Sequence, residues 1–346
     1  MLYSCAVYIS SGVASVASRV AAAAKAATPC VAVVDTFTDA AYARSSVKLV
    51  AEAEPLLSAA EAAAAEALAL VDLSKGEAEE TQIRTAPMSP ASHSDPNACS
   101  RAGGPEPHPA PHPRQGAVDM VSFMPLSELS ADVIGPDLER CDALAWRLGE
   151  RLGESHRCPV LLYGPRAGRS LLQTRRGTSF FRSTKASNPR EATTVLRPDF
   201  GPGAVEGPGD APGESAPALE LPQSCGVAIV GVQPYVTNFN ICVANAPLEA
   251  CREVATALRS AMGVQVMALP HAEGTAEIGC NLQATDTRDS PCCDEVLEFV
   301  TSRLPAGHTV PRAYVIGLTP GAARKTAEDI LEQQAGGAPM PPPLDV

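Results

Sequence analysis

The sequence lacks several features that mark common classes of protein. Its 346 residues carry 27 basic and 39 acidic side chains, a net charge of −12, so the positive excess typical of nucleic-acid-binding proteins is missing. No apolar run approaches the roughly 20 residues that a membrane-spanning helix needs, because Arg, Lys or Glu interrupts the alanine-rich stretches 13–28 and 59–70. We therefore expect neither nucleic acid nor a membrane as a partner.

Signals for export and for metal binding are also scarce. A strand-like run begins at Leu2, directly after Met1, without a basic, apolar or Arg/Ser-rich leader, so we expect a cytoplasmic protein. The 11 cysteines are odd in number and include no C-x-x-C pair, which predicts reduced thiols and no metal site. Five of them lie in or beside apolar runs, where a free thiol behaves as a small hydrophobe: Cys5, Cys30, Cys158, Cys242 and Cys280.

Proline is abundant but unevenly placed. Of the 32 prolines, eight fall between Pro87 and Pro113, seven between Pro189 and Pro222, and four in the tail after residue 338. The surrounding segments, 74–110, about 203–222 and the tail after Gln334, have almost no apolar periodicity, and we expect them to be disordered. These stretches therefore read as two long disordered insertions and a disordered tail within a folded chain of about two domains.

Between the insertions, short β-branched runs alternate with longer helical periodicity. The pattern predicts an α/β fold (α+β sandwich type) of two similar lobes, each a mixed β-sheet layered with helices. Thr319 is the expected N-cap of the last helix. The predicted strands are 4–10, 31–37, 46–51, 117–124, 159–163, 227–232, 236–243, 264–269, 275–282 and 313–318, and the predicted helices 13–27, 55–72, 135–154, 247–262, 293–303 and 320–334.

Several ordered motifs run through most of the chain. The segment from His108 to Asp119 reads H-x-x-x-H-P-R-x-G-x-x-D, residues 158–164 read C-P-V-L-L-Y-G, and residues 198–202 read P-D-F-G-P. Further on, residues 238–241 read N-F-N-I and residues 268–274 A-L-P-H-A-E-G. Together they resemble the formiminotransferase family, which is similar to this chain over about 1–72, 108–202 and 224–333, and the short plant-type branch in particular.

The resemblance implies a subdomain organisation and an activity. Residues 1–202 would form the N-terminal subdomain, 203–223 a linker insert, 224–334 the C-terminal subdomain and 335–346 a tail, with no cyclodeaminase domain. The implied activity is that of a glutamate formimidoyltransferase, a transferase of one-carbon metabolism that moves a formimino or formyl group between N-formimidoyl-glutamate and tetrahydrofolate. Reduced folate as co-substrate, a glutamate derivative, no metal and a homodimer follow from the same resemblance.

The resemblance also assigns roles to residues. His112 falls on the family's catalytic histidine, whose imidazole can take a proton from one amine and return it to the other during transfer. The folate-binding segment between the lobes would comprise Gly201, Pro202 and Gly226. The possible supporting residues are Arg114, Asp39, Asp199 and Asn240.

Two observations keep alternatives open. The stretch from Arg166 to Arg190 holds seven basic and no acidic residues, which suits a folate glutamate tail, another ligand's phosphate or simply a solvated surface. Residues 5–12 read C-A-V-Y-I-S-S-G where the family has C-V-P-N-F-S-E-G, so an Asn and a Glu are missing. The alternative function is accordingly a non-catalytic folate-binding or interaction protein that kept the fold.

Overall fold

A six-stranded sheet, here called the first sheet, organises the first part of the chain. The computed structural model describes residues 1–40, 43–75, 114–126, 131–178, 193–204, 218–271, 275–284 and 289–336. In chain order the strands of the first sheet are β1 (Tyr3–Ile9), β2 (Val31–Asp39), β3 (Arg44–Ala51), β4 (Val118–Pro125), β5 (Val160–Tyr163) and β8 (Ala228–Val232). Their spatial order is β2-β3-β1-β4-β8-β5. β3 pairs with β2 and with β1, and β1 pairs with β4, all in antiparallel orientation. β8 lies parallel to both β4 and β5.

Three helices cover one face of the first sheet: α1 (Ala14–Ala27), α2 (Ala53–Leu70) and α3 (Ala131–Glu154). Alternate residues of β1, such as Cys5 and Val7, pack against them, while Ala6 and Tyr8 belong to apolar clusters on the other face. The buried alanines of α2 have no long side chains, which allows this helix to approach the sheet and α1 closely.

A four-stranded antiparallel sheet, the second sheet, follows in the chain. Its strands are β9 (Thr237–Ala244), β10 (Gln265–Pro270), β11 (Ala276–Leu282) and β12 (Thr309–Ile316), in the order β10-β11-β9-β12. Its apolar residues alternate with polar ones, and α5 (Leu248–Met262) and α6 (Cys293–Thr301) cover the apolar face. Gly263 ends α5 in a left-handed conformation (φ 71°), as is common at a helix C-terminus.

The last helix, α7 (Pro320–Gly336), returns to the first sheet. Ala323 and Ala327 are fully buried against the face that the other helices leave open, with Ala6 and Val50 among their neighbours. Thr319 precedes the helix, and its Oγ1 accepts a hydrogen bond from the backbone N–H of Ala322 at 3.3 Å, so the predicted N-cap is confirmed. The chain therefore returns from the second sheet to the first through this helix.

The α/β class and the two-lobed arrangement are confirmed, and the first sheet is mixed as predicted, whereas the second sheet is antiparallel throughout. The change of sheet also does not fall where the sequence suggests. The sequence places β8 beyond the linker, in the subdomain that begins at 224, whereas in the structure β8 completes the first sheet. All five residues of β8 are buried, and the strand pairs on both sides, so it needs two neighbouring strands. The chain leaves the first sheet only at residues 233–236.

Smaller elements also escaped prediction: α4 (Leu171–Arg176), β6 (Thr193–Thr194) and β7 (Leu219–Glu220), which pairs with β6. They are too short to carry a periodic pattern. Residues 218–222 belong to the fold through β7 and the buried Leu221, and α7 continues to Gly336, so the predicted disorder is wrong at 218–222 and at 335–336. Most of the predicted insertions and tail lies outside the described residues. Within the described part of the chain, no helix is long and apolar enough to span a membrane.

Candidate functional site

A cleft of about 760 Å³ opens between the two sheets, where neither is covered by helices. The first sheet contributes the sides of β1, β3, β4 and β5 that face away from α1, α2 and α3, and α4 and residues 232–236 close two further sides. The polar face of the second sheet lies opposite. The side chains that line the cleft include Tyr8, Arg44, Asp119, Met120, Tyr163, Leu171, Arg175, Gln233, Asn238, Gln265 and Asn281.

The first-sheet side of the cleft is apolar and aromatic. Met120 and Tyr163 are buried in one cluster, and Tyr8 and Leu171 pack against it. The Tyr163 hydroxyl is hydrogen-bonded to the Ser122 hydroxyl, which also accepts a hydrogen bond from Gln233 Nε2 at 3.1 Å. Burial raises the pKa of Tyr163, so its phenol stays protonated at neutral pH. Tyr8, Met120 and Tyr163 therefore offer uncharged contacts to a flat ring, whereas Arg44 and Asp119 supply the charges of the first-sheet side.

The second-sheet side is a row of carboxamides. Gln265, Asn281 and Asn238 are register partners on β10, β11 and β9. Asn238 Nδ2 donates to Asn281 Oδ1 at 2.7 Å, and Asn281 Nδ2 donates to Gln265 Oε1 at 3.3 Å. Paired strands bring opposite side chains within reach of each other, and the row keeps further donors and acceptors for a ligand. Such a wall suits a neutral polar heterocycle.

The charges of the cleft are few and uneven. Arg44 Nη1 lies 2.6 Å from Asp119 Oδ2, and the two side chains are only 13% and 4% exposed. Arg175, from α4, adds a second guanidinium, and its Nη2 lies 3.5 Å from Met120 Sδ. The described lining residues thus carry two positive charges and one negative charge in a chain of net charge −12. The cleft therefore favours an anionic group.

The predicted catalytic residue, His112, lies outside the described residues. Arg114 follows it closely in sequence and donates from Nε and Nη2 to the carbonyl oxygen of Ser10, at 3.1 and 2.6 Å. Gly116 forms a β-bridge with Gly226, and a Cβ on Gly226 would lie 2.0 Å from the carbonyl oxygen of Gln115. Arg114 and Gly226 therefore lie close together, next to the start of β4, the strand that contains Asp119.

The other predicted folate-binding residues lie along β5. Phe200 forms a β-bridge with Val160. Gly201 has φ 83°, and a Cβ at this position would lie only 2.3 Å from the carbonyl oxygen of Cys158. Pro202 follows, half-buried. Asp199 Oδ2 accepts a hydrogen bond from the backbone N–H of Leu162 at 2.7 Å and pairs with Arg169. Packing accounts for the glycine here, and a role in folate binding remains a prediction.

The remaining supporting residues are apart from each other. Asp39 ends β2, and its carbonyl oxygen would lie 3.0 Å from a Cβ on Gly12. Asn240 lies on β9 and donates to Glu277 Oε2 at 3.1 Å. Neither lines the cleft described above, and nor do Arg114, Asp199, Gly201, Pro202 and Gly226.

Sequence reasoning missed most of the cleft wall, because Tyr8, Met120 and Tyr163 read simply as strand residues. One signal was available: Tyr163 ends β5, which is parallel to β8, and ligands of α/β sheets commonly bind beyond such strand ends. The carboxamide row had no comparable signal, since its three members come from distant parts of the chain.

The basic stretch divides into separate roles. Arg166 stacks on the Trp146 ring at 4.0 Å, Arg169 pairs with Asp199, and Arg176 is exposed. Of the described basic residues in this stretch, only Arg175 reaches the cleft. Arg182, Lys185 and Arg190 lie outside the described residues. In the described ranges, no group of three or more His, Cys, Asp or Glu side chains could hold a metal ion.

Comparison with known proteins supplies the family. A profile of the formiminotransferase domain, N-terminal subdomain, matches residues 2–84 and 106–209. The chain is 30% identical over 186 residues, 51% of its length and 55% of the relative's, to the formiminotransferase cyclodeaminase-like protein of Arabidopsis thaliana. It is 29% identical over 160 residues to the glutamate formimidoyltransferase of Thermoplasma acidophilum, 45% of this chain and 44% of that protein.

A third relative, the formimidoyltransferase-cyclodeaminase of Sus scrofa, is 30% identical over 137 residues, 39% of this chain and 20% of that protein. The chain thus spans about half the length of the first two relatives and a fifth of the third. The residues matched by the family profile include the H-P-R-x-G and P-D-F-G-P motifs, and the profile covers more than half of the chain. The chain belongs to the formiminotransferase family.

Proposed function

We propose that the protein transfers a formimidoyl group between N-formimidoyl-glutamate and tetrahydrofolate. The observation that carries the proposal is the cleft between the two sheets in a member of this family. Its apolar wall suits the flat face of the pterin ring of a folate, and its carboxamide row suits the amide-like edge of the same ring. Its excess of positive charge suits the carboxylate-bearing glutamate tail.

The two walls would hold the pterin ring. Tyr8, Met120 and Tyr163 offer apolar and aromatic surface for one face of the ring. The Asn238–Asn281–Gln265 row offers paired donors and acceptors, which complement the amino and carbonyl groups on the edge of a pterin. A ring held between these walls loses little polar solvation, because each polar edge group can find a carboxamide partner.

Arg175 would bind a carboxylate. A guanidinium forms two parallel hydrogen bonds to a carboxylate, and in a partly closed cleft such bonds are stronger than in water. Arg175 lines the cleft beside Met120, so its guanidinium lies where a bound carboxylate could reach it. Both substrates contain a glutamate moiety, so the carboxylate could come from either the formimino donor or the folate tail.

His112 would move the proton. Transfer passes through a tetrahedral carbon bonded to the glutamate nitrogen and to N5 of the folate. N5 must lose a proton as it attacks, and the glutamate nitrogen must gain one as it leaves. A single imidazole can perform both steps in turn, a contribution of about 10²- to 10⁴-fold to the rate. Binding both substrates in one cleft would supply further acceleration through proximity.

The direct test is a transfer assay with purified protein, N-formimidoyl-glutamate and tetrahydrofolate. We expect His112→Ala to lower kcat by about 10²-fold or more and to leave the Kd for tetrahydrofolate within a few fold. His308→Ala is the matched control, since His308 contacts the carbonyl oxygen of Pro305 and does not line the cleft. Equal losses in both variants would contradict the role of His112.

The second candidate is a folate-binding protein without turnover. It is favoured by Tyr8 and Ser11, which stand where the family has an Asn and a Glu. Wild-type protein that binds tetrahydrofolate but yields no 5-formimino product would support this function and refute transfer. Wild-type protein that binds no reduced folate would refute both.

The carboxylate role has its own test. We expect Arg175→Gln to raise KM about tenfold or more for the substrate whose carboxylate it binds, because a charged hydrogen bond is worth about 1.5–3 kcal/mol. Arg176→Gln on the same helix is the control, since Arg176 is exposed and does not line the cleft. The KM that rises, for formimidoyl-glutamate or for tetrahydrofolate, identifies the source. Unchanged KM values for both would show that Arg175 binds neither.

A further inference from the structure

Two cysteines from distant parts of the chain meet at the start of two parallel strands. Cys158 lies two residues before β5, and Cys225 lies three residues before β8. Val160 is the register partner of Ala228, and the backbone N–H of Ala228 donates to the carbonyl oxygen of Pro159 at 2.9 Å. The strand pairing therefore holds the two cysteines side by side.

Both cysteines have a well-held backbone. The N–H of Cys158 donates to the carbonyl oxygen of Leu152 at 3.1 Å, and the carbonyl oxygen of Cys225 accepts from the N–H of Ala117 at 2.9 Å. Continued back from Val160 and Ala228, the parallel register sets Cys158 opposite Gly226, the residue after Cys225. The spacing of neighbouring strands, about 4.8 Å, is compatible with the Cα separations of about 4.4–6.8 Å found in disulfides. A bond between the two sulfurs therefore requires little backbone movement.

The two thiols already interact. The Cys158 Sγ donates to the carbonyl oxygen of Pro159 at 3.5 Å and the Cys225 Sγ to that of Gly226 at 3.7 Å, and interaction with the neighbouring Cys158 side chain lowers the pKa of the Cys225 thiol. Cys158 is fully buried, whereas Cys225 is partly exposed and open to a small reagent. The arrangement provides one accessible sulfur with enhanced thiolate character and a second sulfur ready to react with it.

We propose that Cys158 and Cys225 form a reversible disulfide when the protein meets hydrogen peroxide. The Cys225 thiolate attacks one peroxide oxygen, the O–O bond breaks, and the departing hydroxide takes up a proton to leave water and a Cys225 sulfenic acid. The Cys158 sulfur then attacks the Cys225 sulfur. The S–O bond breaks, and the hydroxide leaves as water with the thiol proton. Two thiols are oxidised and one peroxide is reduced to two waters.

The disulfide would connect two segments that border predicted site residues. The carbonyl oxygen of Cys158 packs against Gly201, and Gly226 directly follows Cys225. Peroxide would therefore covalently link Cys158, which packs against the P-D-F-G-P segment, to the segment that pairs with Gly116. Cys5 and Cys141 lack the accessible thiol that Cys225 provides, because both are buried and burial raises the pKa of each thiol.

The test is peptide mapping of the full-length protein after brief treatment with a small excess of hydrogen peroxide, with the remaining thiols blocked by N-ethylmaleimide. We expect a linked peptide pair containing Cys158 and Cys225, 2 Da lighter than the two free peptides, which dithiothreitol separates. Cys30→Ser is the control, since Cys30 is exposed and distant in sequence from either partner. It should form the same link at the same rate.

Two variants decide the chemistry. In Cys158→Ala we expect Cys225 to stop at the sulfenic acid, which dimedone traps, and in Cys225→Ser we expect Cys158 to remain reduced. A wild-type protein whose Cys225 becomes labelled by dimedone without forming the link would overturn the proposal. So would a wild-type protein in which both thiols remain alkylated by N-ethylmaleimide after peroxide treatment. Neither measurement depends on folate binding or transfer.

Discussion

Replacing Asp119 by Asn should cost the protein about 3 kcal/mol of unfolding free energy. Asp119 is 4% exposed and Arg44 13% exposed, with 2.6 Å between the charged atoms. Removing one partner of a buried pair leaves the other charge uncompensated, which costs about 3–5 kcal/mol. We expect the lower end of this range, because Asn can still accept the hydrogen bond that Gln115 N–H donates to Oδ1 at 3.3 Å.

The assay is urea-induced unfolding of the single variants and of the double variant Arg44→Gln/Asp119→Asn, which together give a coupling energy. The pair between Arg19 and Glu66 is the control: its contact is also 2.6 Å, but its side chains are 47% and 26% exposed. Its coupling energy should stay below about 1 kcal/mol. A coupling energy for Arg44 and Asp119 as small as that of the control would refute the reasoning that burial increases the coupling energy of this ion pair.

Two further predictions concern glycine and tyrosine. Gly226→Ala should cost at least about 2 kcal/mol in unfolding free energy, since its φ is 64° and a Cβ would lie 2.0 Å from the Gln115 carbonyl oxygen; Gly168→Ala, with φ 67° and open space, should cost about 1 kcal/mol. Equal losses would contradict the steric argument. Burial raises the pKa of Tyr8, Tyr163 and Tyr235 above the usual value near 10. The contribution of these protonated tyrosines to the free energy of unfolding is therefore complete below about pH 10 and is lost as the pH rises further. Urea unfolding between about pH 9 and 11 should show this loss of stability, and the loss should be smaller in Tyr163→Phe. If the unfolding free energy of Tyr163→Phe fell with pH as steeply as that of the wild type, Tyr163 would not be a cause of the loss.

The long elements were predictable because their patterns are local. The alternation of β1 and the helical spacing of α5 each lie within one stretch of chain, and the structure places both close to their predicted bounds. The position of β8 was not predictable, because its buried residues are compatible with either sheet. Only the pairing with β4 and β5 decides which sheet it completes.

The candidate site divides in the same way. The motifs around Arg114 and Asp199 identify the family without any structure, since they are contiguous in the chain. The cleft wall could not be identified in this way: Asn238, Gln265 and Asn281 are up to 43 residues apart and meet only through strand register. Side chains that act together across strands leave no spacing signal in the sequence.

The sequence by itself determined the family, the α/β class, the length of the main helices and strands, and the acidic balance. Each depends on residues that are neighbours in the chain or on a sum over all of them. Only the tertiary structure decided which surfaces form the cleft, that Arg44 is paired while Arg175 faces the cleft, and that Cys158 meets Cys225. Those properties arise from burial and long-range strand pairing, which place chemically complementary groups together regardless of their separation in sequence.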